Sequence, residues 1–245
     1  GRTLRFAPTG TRSSMQKALG SVVSRGLDLL FPLSCVVCGR DGRFVCEGCV
    51  EELPVLEKPY CSSCARPGAK SVCHTCHVSP PRYDGIRAAY LMDGGAREVV
   101  YGLKYRDVRA YAPYWAELLA ARVGAYALSA DVLVPVPLHR RRERGRGYNQ
   151  SSLLAKELSK HTGMVVEPEL LARNRDTAPQ VDLSGEGERR DNVEGAFTST
   201  PAVGGRRVLL LDDVVTTGAT MSACAAALKA MGAKSVWGLA FARQG

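Results

Sequence analysis

Four Cys-x-x-Cys pairs between residues 35 and 76 constrain the fold of this chain more than any other feature. Each pair places two sulfurs on one side of a tight turn, and two such turns complete a tetrahedral zinc site. The segment is too short to build a core of its own, so bound metal replaces one. We therefore predict a double zinc-ribbon module over residues 31–80, with structural ligands Cys35, Cys38, Cys46, Cys49, Cys61, Cys64, Cys73 and Cys76.

The pairing of these cysteines is open, and the zinc ions number one or two. Near-equal spacings favour sequential sites, in which the first two pairs form one site and the last two form another. A crossed arrangement of the first pair with the third is the rival, and an iron–sulfur site is a weaker alternative. Because four thiols already complete each site, we expect His74 and His77 to be exposed and not to bind metal. Cys224 is expected to be a small core residue.

Charge and length restrict the classes of partner. The chain has 245 residues and a formal net charge of +9, which favours polyanions such as phosphorylated metabolites or nucleic acid. The run RRRERGR at 140–146 is either a solvated surface or a nucleic-acid contact. Apolar runs fall short of the roughly 18–20 residues that cross a bilayer, so we expect no membrane span and a cytoplasmic location.

The first 30 residues are predicted to be a basic tail with a short amphipathic helix from residue 15 to 30. They lack the apolar core of a secretory signal, so metal is favoured over disulfides for the cysteines. Residues 1–14 could lie upstream of a start at Met15. We leave this segment out of the fold prediction.

From residue 81 to 245 the sequence alternates between strand and helix patterns. This alternation predicts an α/β domain, a mostly parallel sheet with helices on both faces. The apolar stretch 99–103 is interpreted as a strand that ends at Lys104, and the following helix is expected to begin near Pro113. The predicted strands are 86–92, 132–137, 208–211 and 235–242, and the predicted helices are 107–127, 151–163 and 219–232.

The string VLLLDDVVTTGAT at 208–220 carries the strongest functional signal. Ligands of open parallel sheets bind at the carboxyl ends of the strands, where Asp212 and Asp213 are expected. The next residues enter a helix whose first N–H groups and dipole favour an anion, and Gly218 permits close approach. The carboxylates can accept hydrogen bonds from a diol or bind a divalent cation. A phosphate beside a diol describes a ribose 5-phosphate, and the chain contains no Walker A pattern.

The same string resembles the phosphoribosyl pyrophosphate (PRPP) motif of type I phosphoribosyltransferases. Three further strings extend the resemblance to the ComF family, in its ComFC-like form. They are LKYRD at 103–107, VPVPLHRRRERGRGYNQ at 134–150 and APQVDLSGEGERRDNVEGAF at 178–197. The resemblance runs from about Leu27 to the end of the chain. It implies a type I phosphoribosyltransferase fold preceded by the zinc-ribbon module.

The resemblance also implies roles for individual residues. Asp212 and Asp213 would be the catalytic pair that binds the ribose 2′ and 3′ hydroxyls. Pro137 and Leu138 would lie in the pyrophosphate loop, and residues 178–197 would form a flexible loop. PRPP contacts would come from Val215, Thr216, Thr217, Gly218, Ala219 and Thr220, with cations Lys104, Arg144 and Arg146, and the flexible-loop residues to watch are Arg189 and Asn192.

The implied reaction is a magnesium-dependent transfer of the phosphoribosyl group from PRPP to an acceptor, with release of pyrophosphate. The sequence does not name the acceptor or the oligomeric state. Family resemblance further implies a link to DNA uptake in natural transformation, including peripheral contact with the uptake machinery. The alternative is a non-catalytic adaptor that keeps the PRPP loop and binds single-stranded DNA through its zinc ribbons and arginines.

Overall fold

A computed structural model describes residues 34–105, 108–126, 128–176, 193 and 195–245. The predicted helix at 15–30 lies outside the described residues, as do Arg189 and Asn192. Within the described part, no helix is both long and apolar enough to cross a membrane.

The centre of the fold is a four-stranded parallel sheet. Its strands are β1 (Gly85–Leu91), β2 (Val132–Pro135), β5 (Arg207–Val215) and β6 (Ser235–Arg243), in the order β1-β6-β5-β2. A separate antiparallel pair joins β3 (Leu171–Arg173) to β4 (Phe197–Ser199). In the described ranges, the α-helices with both ends defined are α1 (Glu47–Glu51), α2 (His74–Val78), α3 (Gly94–Tyr105), α4 (Val108–Val123), α5 (Arg140–Arg146), α6 (Gln150–Thr162) and α7 (Ala219–Ala230).

Both faces of the sheet are covered, as predicted. In β5, Leu209 and Leu211 pack into a core with α3, α4 and α6, while Val208 and Leu210 pack on the other face with α7. This is why the strand reads as continuously apolar: each face meets its own hydrophobic layer. The two zinc ribbons are divided in the same way, the first lying in the α3 and α4 layer and the second in the α7 layer.

The chain also covers both outer edges of the sheet. The segment between the two ribbons runs antiparallel to β1, with Leu56 N donating to Ala89 O at 3.0 Å and Leu91 N to Pro54 O at 2.7 Å. Beside β2, Leu133 N donates to Val165 O at 2.8 Å. These pairings satisfy main-chain groups that would otherwise be exposed at an edge.

Three predicted boundaries were wrong. The stretch 99–103 belongs to helix α3, because Ala96, Val99 and Val100 are buried at helical spacing rather than in alternation. Lys104 therefore lies on a helix and not at a strand end. Helix α4 begins at Val108 and contains Pro113, which gives up one backbone hydrogen bond. Strand β5 continues through both aspartates to Val215.

Candidate functional site

The two aspartates lie at the carboxyl edge of the sheet, although they are inside a strand. Pro135, the last residue of β2, is opposite Leu211, so β5 extends four residues beyond the end of its neighbour. On the other side Asp212 still pairs with Ala240 of β6. The half-buried side chains of Asp212 and Asp213 thus stand at the step where β2 has ended.

Hydrogen bonds fix the orientation of this carboxylate pair. The hydroxyl of Ser151, in the first turn of α6, donates to Asp212 Oδ1 at 3.0 Å. The backbone N–H groups of Asp213 and Val214 donate to Asp212 Oδ1 and Asp213 Oδ1, at 3.0 and 2.7 Å. The amino end of α6 therefore faces Asp212, which suits a negative charge there.

Asn149 joins the end of β2 to the start of α6. Its side chain is buried; Oδ1 accepts from Ser151 N and Nδ2 donates to Val136 O, both at 3.0 Å. The loop that contains Pro137 and Leu138 begins directly after Val136. This single asparagine therefore places the predicted pyrophosphate loop beside the residue that orients Asp212.

The loop after β5 turns tightly into helix α7. Gly218 adopts φ 84° as the cap of α7, and the hydroxyl of Thr217 accepts from Ala219 N at 3.3 Å. Gly218 lies against the buried Tyr83: a Cβ added at Gly218 would be 2.8 Å from the Tyr83 hydroxyl oxygen. A residue with a side chain would be excluded on both grounds.

The start of this loop is held by the end of the chain. The carbonyl of Val215 accepts from Gln244 N at 2.9 Å and from Arg243 Nη1 at 3.1 Å. Arg243 is fully buried. We call residues 215–220 the phosphate loop below.

The arginines of α5 differ in their exposure to solvent. Arg144 and Arg146 lie on the exposed side of α5, whereas Arg142 is half-buried with its Nε 3.4 Å from Asp176 Oδ1. Arg173, on β3, was missed. Burial and the charge of Arg142 lower the pKa of the Arg173 guanidinium, while Cys224, Asp176 and Asp212 oppose that change.

The remaining predicted contacts are only partly described. The backbone of Lys104 lies in α3, and its side chain is outside the described residues, like Arg189 and Asn192. Arg173, Asn149 and Ser151 are the residues that sequence reasoning did not identify at this edge. Only the last two had a signal, because they follow the string RGY in the ComF-like segment.

The eight paired cysteines form two separate tetrathiol sets, so the sequential pairing is correct and the crossed one is wrong. Within each set the sulfurs lie within 4.8 Å of one another. Cys38 Sγ is 3.6 Å from Cys46 Sγ, and Cys64 Sγ is 3.7 Å from Cys73 Sγ. A tetrahedron with zinc–sulfur bonds of about 2.3 Å has edges of about 3.8 Å. Both sets thus fit a structural zinc ion, and His74 and His77 are exposed outside them.

Backbone donors favour the thiolate form at two of these sulfurs, Cys35 and Cys61. Burial acts to raise the pKa of Cys35, but N–H groups, first that of Cys46, outweigh it and lower that pKa to about 6. The pKa of Cys61 is likewise lowered to about 6 by the N–H groups of Cys64 and Cys73 despite burial. N–H donation to thiolate sulfur favours the form that binds zinc. Cys224 is fully buried in α7, as expected of a core residue.

Comparison with known proteins agrees with this division of the chain. The double zinc ribbon domain family matches residues 26–77, and the phosphoribosyl transferase domain family matches residues 144–243. The DNA utilization protein YhgH of Escherichia coli O157:H7 is 31% identical over 209 residues, which cover 82% of this chain and 86% of that protein. Competence protein F of Haemophilus influenzae is 28% identical over 233 residues, covering 86% and 97%.

A solved structure also matches the chain in part. The glutamine PRPP amidotransferase of B. subtilis has a TM-score of 0.38 and 23% sequence identity. The match covers 55% of this chain and 26% of the amidotransferase chain.

Proposed function

Because the chain belongs to the ComF family, with a double zinc ribbon before a phosphoribosyltransferase domain, we propose that it binds PRPP at the carboxyl edge of its sheet. One observation carries this proposal. The Asp212–Asp213 pair lies on β5 at the step beyond the end of β2, and the phosphate loop begins where β5 ends. A diol acceptor and an anion-binding helix start are thus a few residues apart.

Each part of this edge would hold one part of PRPP. Asp212 and Asp213 would accept hydrogen bonds from the ribose 2′ and 3′ hydroxyls, since ionised carboxylates are acceptors only. The backbone N–H groups at the start of α7, with the hydroxyls of Thr216, Thr217 and Thr220, would donate to the 5′-phosphate. Ser151 would keep Asp212 in the orientation that this requires.

The pyrophosphate group would lie above the end of β2, along the loop that contains Pro137 and Leu138. Arg142 and Arg173 are proposed contacts of this group, because the charges of Asp212 and Arg142 both act on the Arg173 guanidinium and guanidinium groups suit phosphate oxygens. Lys104, Arg144 and Arg146 remain proposed contacts for the same group. Magnesium, bound through oxygens of PRPP, would neutralise charge on the leaving pyrophosphate. Closure of the segment with Arg189 and Asn192 would exclude water.

The proposed reaction is transfer of the phosphoribosyl group to an acceptor. The acceptor's lone pair forms a bond to C1 of the ribose, while the C1–oxygen bond breaks and its electron pair leaves with pyrophosphate. Catalysis would then consist of positioning and electrostatic stabilisation, with no protein nucleophile. The names of the relatives support a role in DNA uptake or DNA utilization.

Calorimetric titration of the full chain with PRPP and magnesium tests the proposal. We expect binding in the parent protein and a loss of binding in the Asp212→Asn/Asp213→Asn variant, because amides cannot replace two anionic acceptors. Asp131→Asn is the matched control, since Asp131 precedes β2 at the opposite edge of the sheet. Pyrophosphate release would then be measured against a panel of acceptors.

The outcomes separate binding from catalysis. An absence of PRPP binding in the parent chain refutes the proposal outright. Equal binding by the parent and the double variant removes the aspartates from the site. Binding without pyrophosphate release, across all acceptors, leaves a PRPP-binding protein that is not a transferase.

Contact with single-stranded DNA is a second candidate function, favoured by the exposed arginines of α5. Arg140, Arg141, Arg144 and Arg146 are all exposed on this helix, next to the carboxyl edge of the sheet. Such a cluster would follow a phosphate backbone. Affinity should then fall linearly with the logarithm of salt concentration, with a slope of roughly −0.7 per neutralised phosphate.

The DNA test needs a control for total charge. We expect Arg140→Gln/Arg141→Gln/Arg144→Gln to weaken binding of an oligothymidine and to reduce the salt slope. A variant that loses three exposed charges outside the ribbons and α5, Lys156→Gln/Lys160→Gln/Lys234→Gln, should bind with an affinity near that of the parent. Equal weakening in both variants would mean that net charge, and not this helix, governs binding.

A further inference from the structure

Arg243 is a buried cation, and the described residues of the proposed catalytic site provide no opposite charge beside its guanidinium. It is the last residue of β6, is fully buried, and lies between Leu91 of β1 and Val215 of β5. Removing a guanidinium from water is costly unless an opposite charge and hydrogen bonds compensate it. The guanidinium therefore needs an opposite charge and hydrogen-bond acceptors nearby to offset the cost of its desolvation.

The guanidinium of Arg243 makes two hydrogen bonds to described residues, and neither acceptor is a carboxylate. Nη1 donates to the carbonyl of Val215 at 3.1 Å, and Nη2 donates to Cys64 Sγ at 3.9 Å. Among the described residues, Nε has no hydrogen-bond partner. A carbonyl oxygen and one neutral thiol would leave the guanidinium charge largely uncompensated.

The second tetrathiol set supplies the missing charge once it holds zinc. Four thiolates and one Zn²⁺ carry a net charge of −2. Cys64 is a member of this set, so the guanidinium lies in hydrogen-bonding contact with an anionic centre. The other branch of the same guanidinium holds Val215, the first residue of the phosphate loop.

A second contact joins the same two regions. Cys64 and Cys76 line a cavity of about 540 Å³ together with Thr217 and Gly218. Tyr83 lies between them: burial, followed by the charges of Cys64 and Cys76, raises the pKa of its phenol. Its hydroxyl abuts Gly218. The first tetrathiol set packs in the core on the other face of the sheet.

We propose that Arg243 is a positioning residue that couples the second zinc centre to the phosphate loop, so that zinc at this site sets the PRPP affinity. The proposal rests on PRPP binding as the proposed function. The guanidinium stabilises the zinc–thiolate centre and holds the Val215 carbonyl with its second branch. Loss of the second zinc leaves the cation without its counter-charge, and the loop is released from its position.

Zinc release tests the first half of the coupling without PRPP. In a Cys38→Ser background, which leaves the second site as the intact zinc site, a chelator is added and release is followed by absorbance. We expect Arg243→Met to release zinc roughly ten-fold faster or more, as for the loss of a charge-assisted hydrogen bond. Arg122→Met is the matched control, because Arg122 lies over the ring of Tyr90, which packs in the other core from the second zinc site.

PRPP titration of the otherwise unmodified chain tests the second half. Arg243→Met and Cys76→Ser should both weaken PRPP binding by roughly ten-fold or more, for the same reason. Arg243→Lys should keep zinc release slow but should not keep the PRPP affinity of the parent. The single ammonium of lysine can lie beside Cys64 but cannot also reach Val215, as the two branches of the guanidinium do. If Arg243 only stabilised the fold in general, zinc release and PRPP affinity would change together in this variant.

The outcomes are decisive in each direction. Zinc release at the parental rate in Arg243→Met overturns the proposal, as does full PRPP affinity in a Cys76→Ser chain that has lost its second zinc. Hydrogen exchange at the amides of 216–220 provides a check on folding, since the proposal requires faster exchange there and not throughout the sheet. If the parent binds no PRPP, the proposed function fails, and zinc release with hydrogen exchange still tests the coupling.

Discussion

Substitution of Gly218 by alanine should be unusually damaging, and the structure divides its cost into two parts. The first is conformational: φ is 84°, where an L-residue with a Cβ is strained by about 1–2 kcal/mol. The second is steric, because the new Cβ would lie 2.8 Å from the Tyr83 hydroxyl oxygen. Overpacking of this kind costs about 1–3 kcal/mol. We therefore expect a total loss of about 2–5 kcal/mol of unfolding free energy from these two terms.

A double-mutant cycle with Tyr83→Phe separates the two parts. Without the hydroxyl, the nearest atoms to the new Cβ are Ile86 Cδ1 and the Cε1 of residue 83, both at 3.6 Å, which is an ordinary contact. Gly218→Ala should then cost only the conformational part, about 1–2 kcal/mol. The control is Gly205→Ala, where φ is 74° and no atom lies within 4 Å of the added Cβ.

The assay is denaturant unfolding of the zinc-loaded chain, with PRPP titration of each variant in parallel. PRPP affinity should fall in Gly218→Ala and recover partly in the double variant, because relief of the contact lets the loop return. An identical cost of Gly218→Ala in the parent and in the Tyr83→Phe background would refute the packing of the phosphate loop on this tyrosine. A cost equal to that of Gly205→Ala would do the same.

Two further substitutions test other contacts. Ser151→Ala removes the hydroxyl that donates to Asp212, so PRPP affinity in calorimetry should fall by roughly three- to ten-fold; unchanged affinity would show that Asp212 needs no such support. Asp84→Ala removes the carboxylate that accepts from Lys229 Nζ at 2.7 Å and from Val236 N at 2.6 Å. We expect it to lower the free energy of unfolding by about 1–3 kcal/mol. PRPP affinity should be retained under conditions where the variant is fully folded. A variant as stable as the parent in urea would contradict this role.

The parallel sheet could be predicted because its strands carry their own signal. Val208–Leu211 and the strand at β2 are apolar on both faces, and each face meets a separate core. The length of β5 could not be predicted in this way. Its last residues include Asp212 and Asp213, and they remain in the strand because β6 continues to pair with their backbone. Strand pairing uses main-chain N–H and C=O groups, so a polar side chain does not end it.

The zinc sites show the same contrast between local and distant information. Sequence spacing was sufficient to identify all eight ligands, because each knuckle is a local turn. The buried Arg243 carried no such signal, since arginine near a chain end usually indicates surface. Its partners Cys64 and Val215 are 179 and 28 residues away in the sequence, and only folding brings them together.

The pairing of residues 54–56 with β1 means that the zinc-ribbon module cannot be removed without changing the sheet that follows it. A chain cut directly after the ribbons would carry a sheet whose outermost strand, β1, offers free main-chain donors and acceptors to any neighbouring molecule. Chelation of zinc would weaken the same pairing, because residues 54–56 lie between the two tetrathiol sets. We therefore expect zinc loss to expose the edge of β1 and to favour self-association of the chain through that strand.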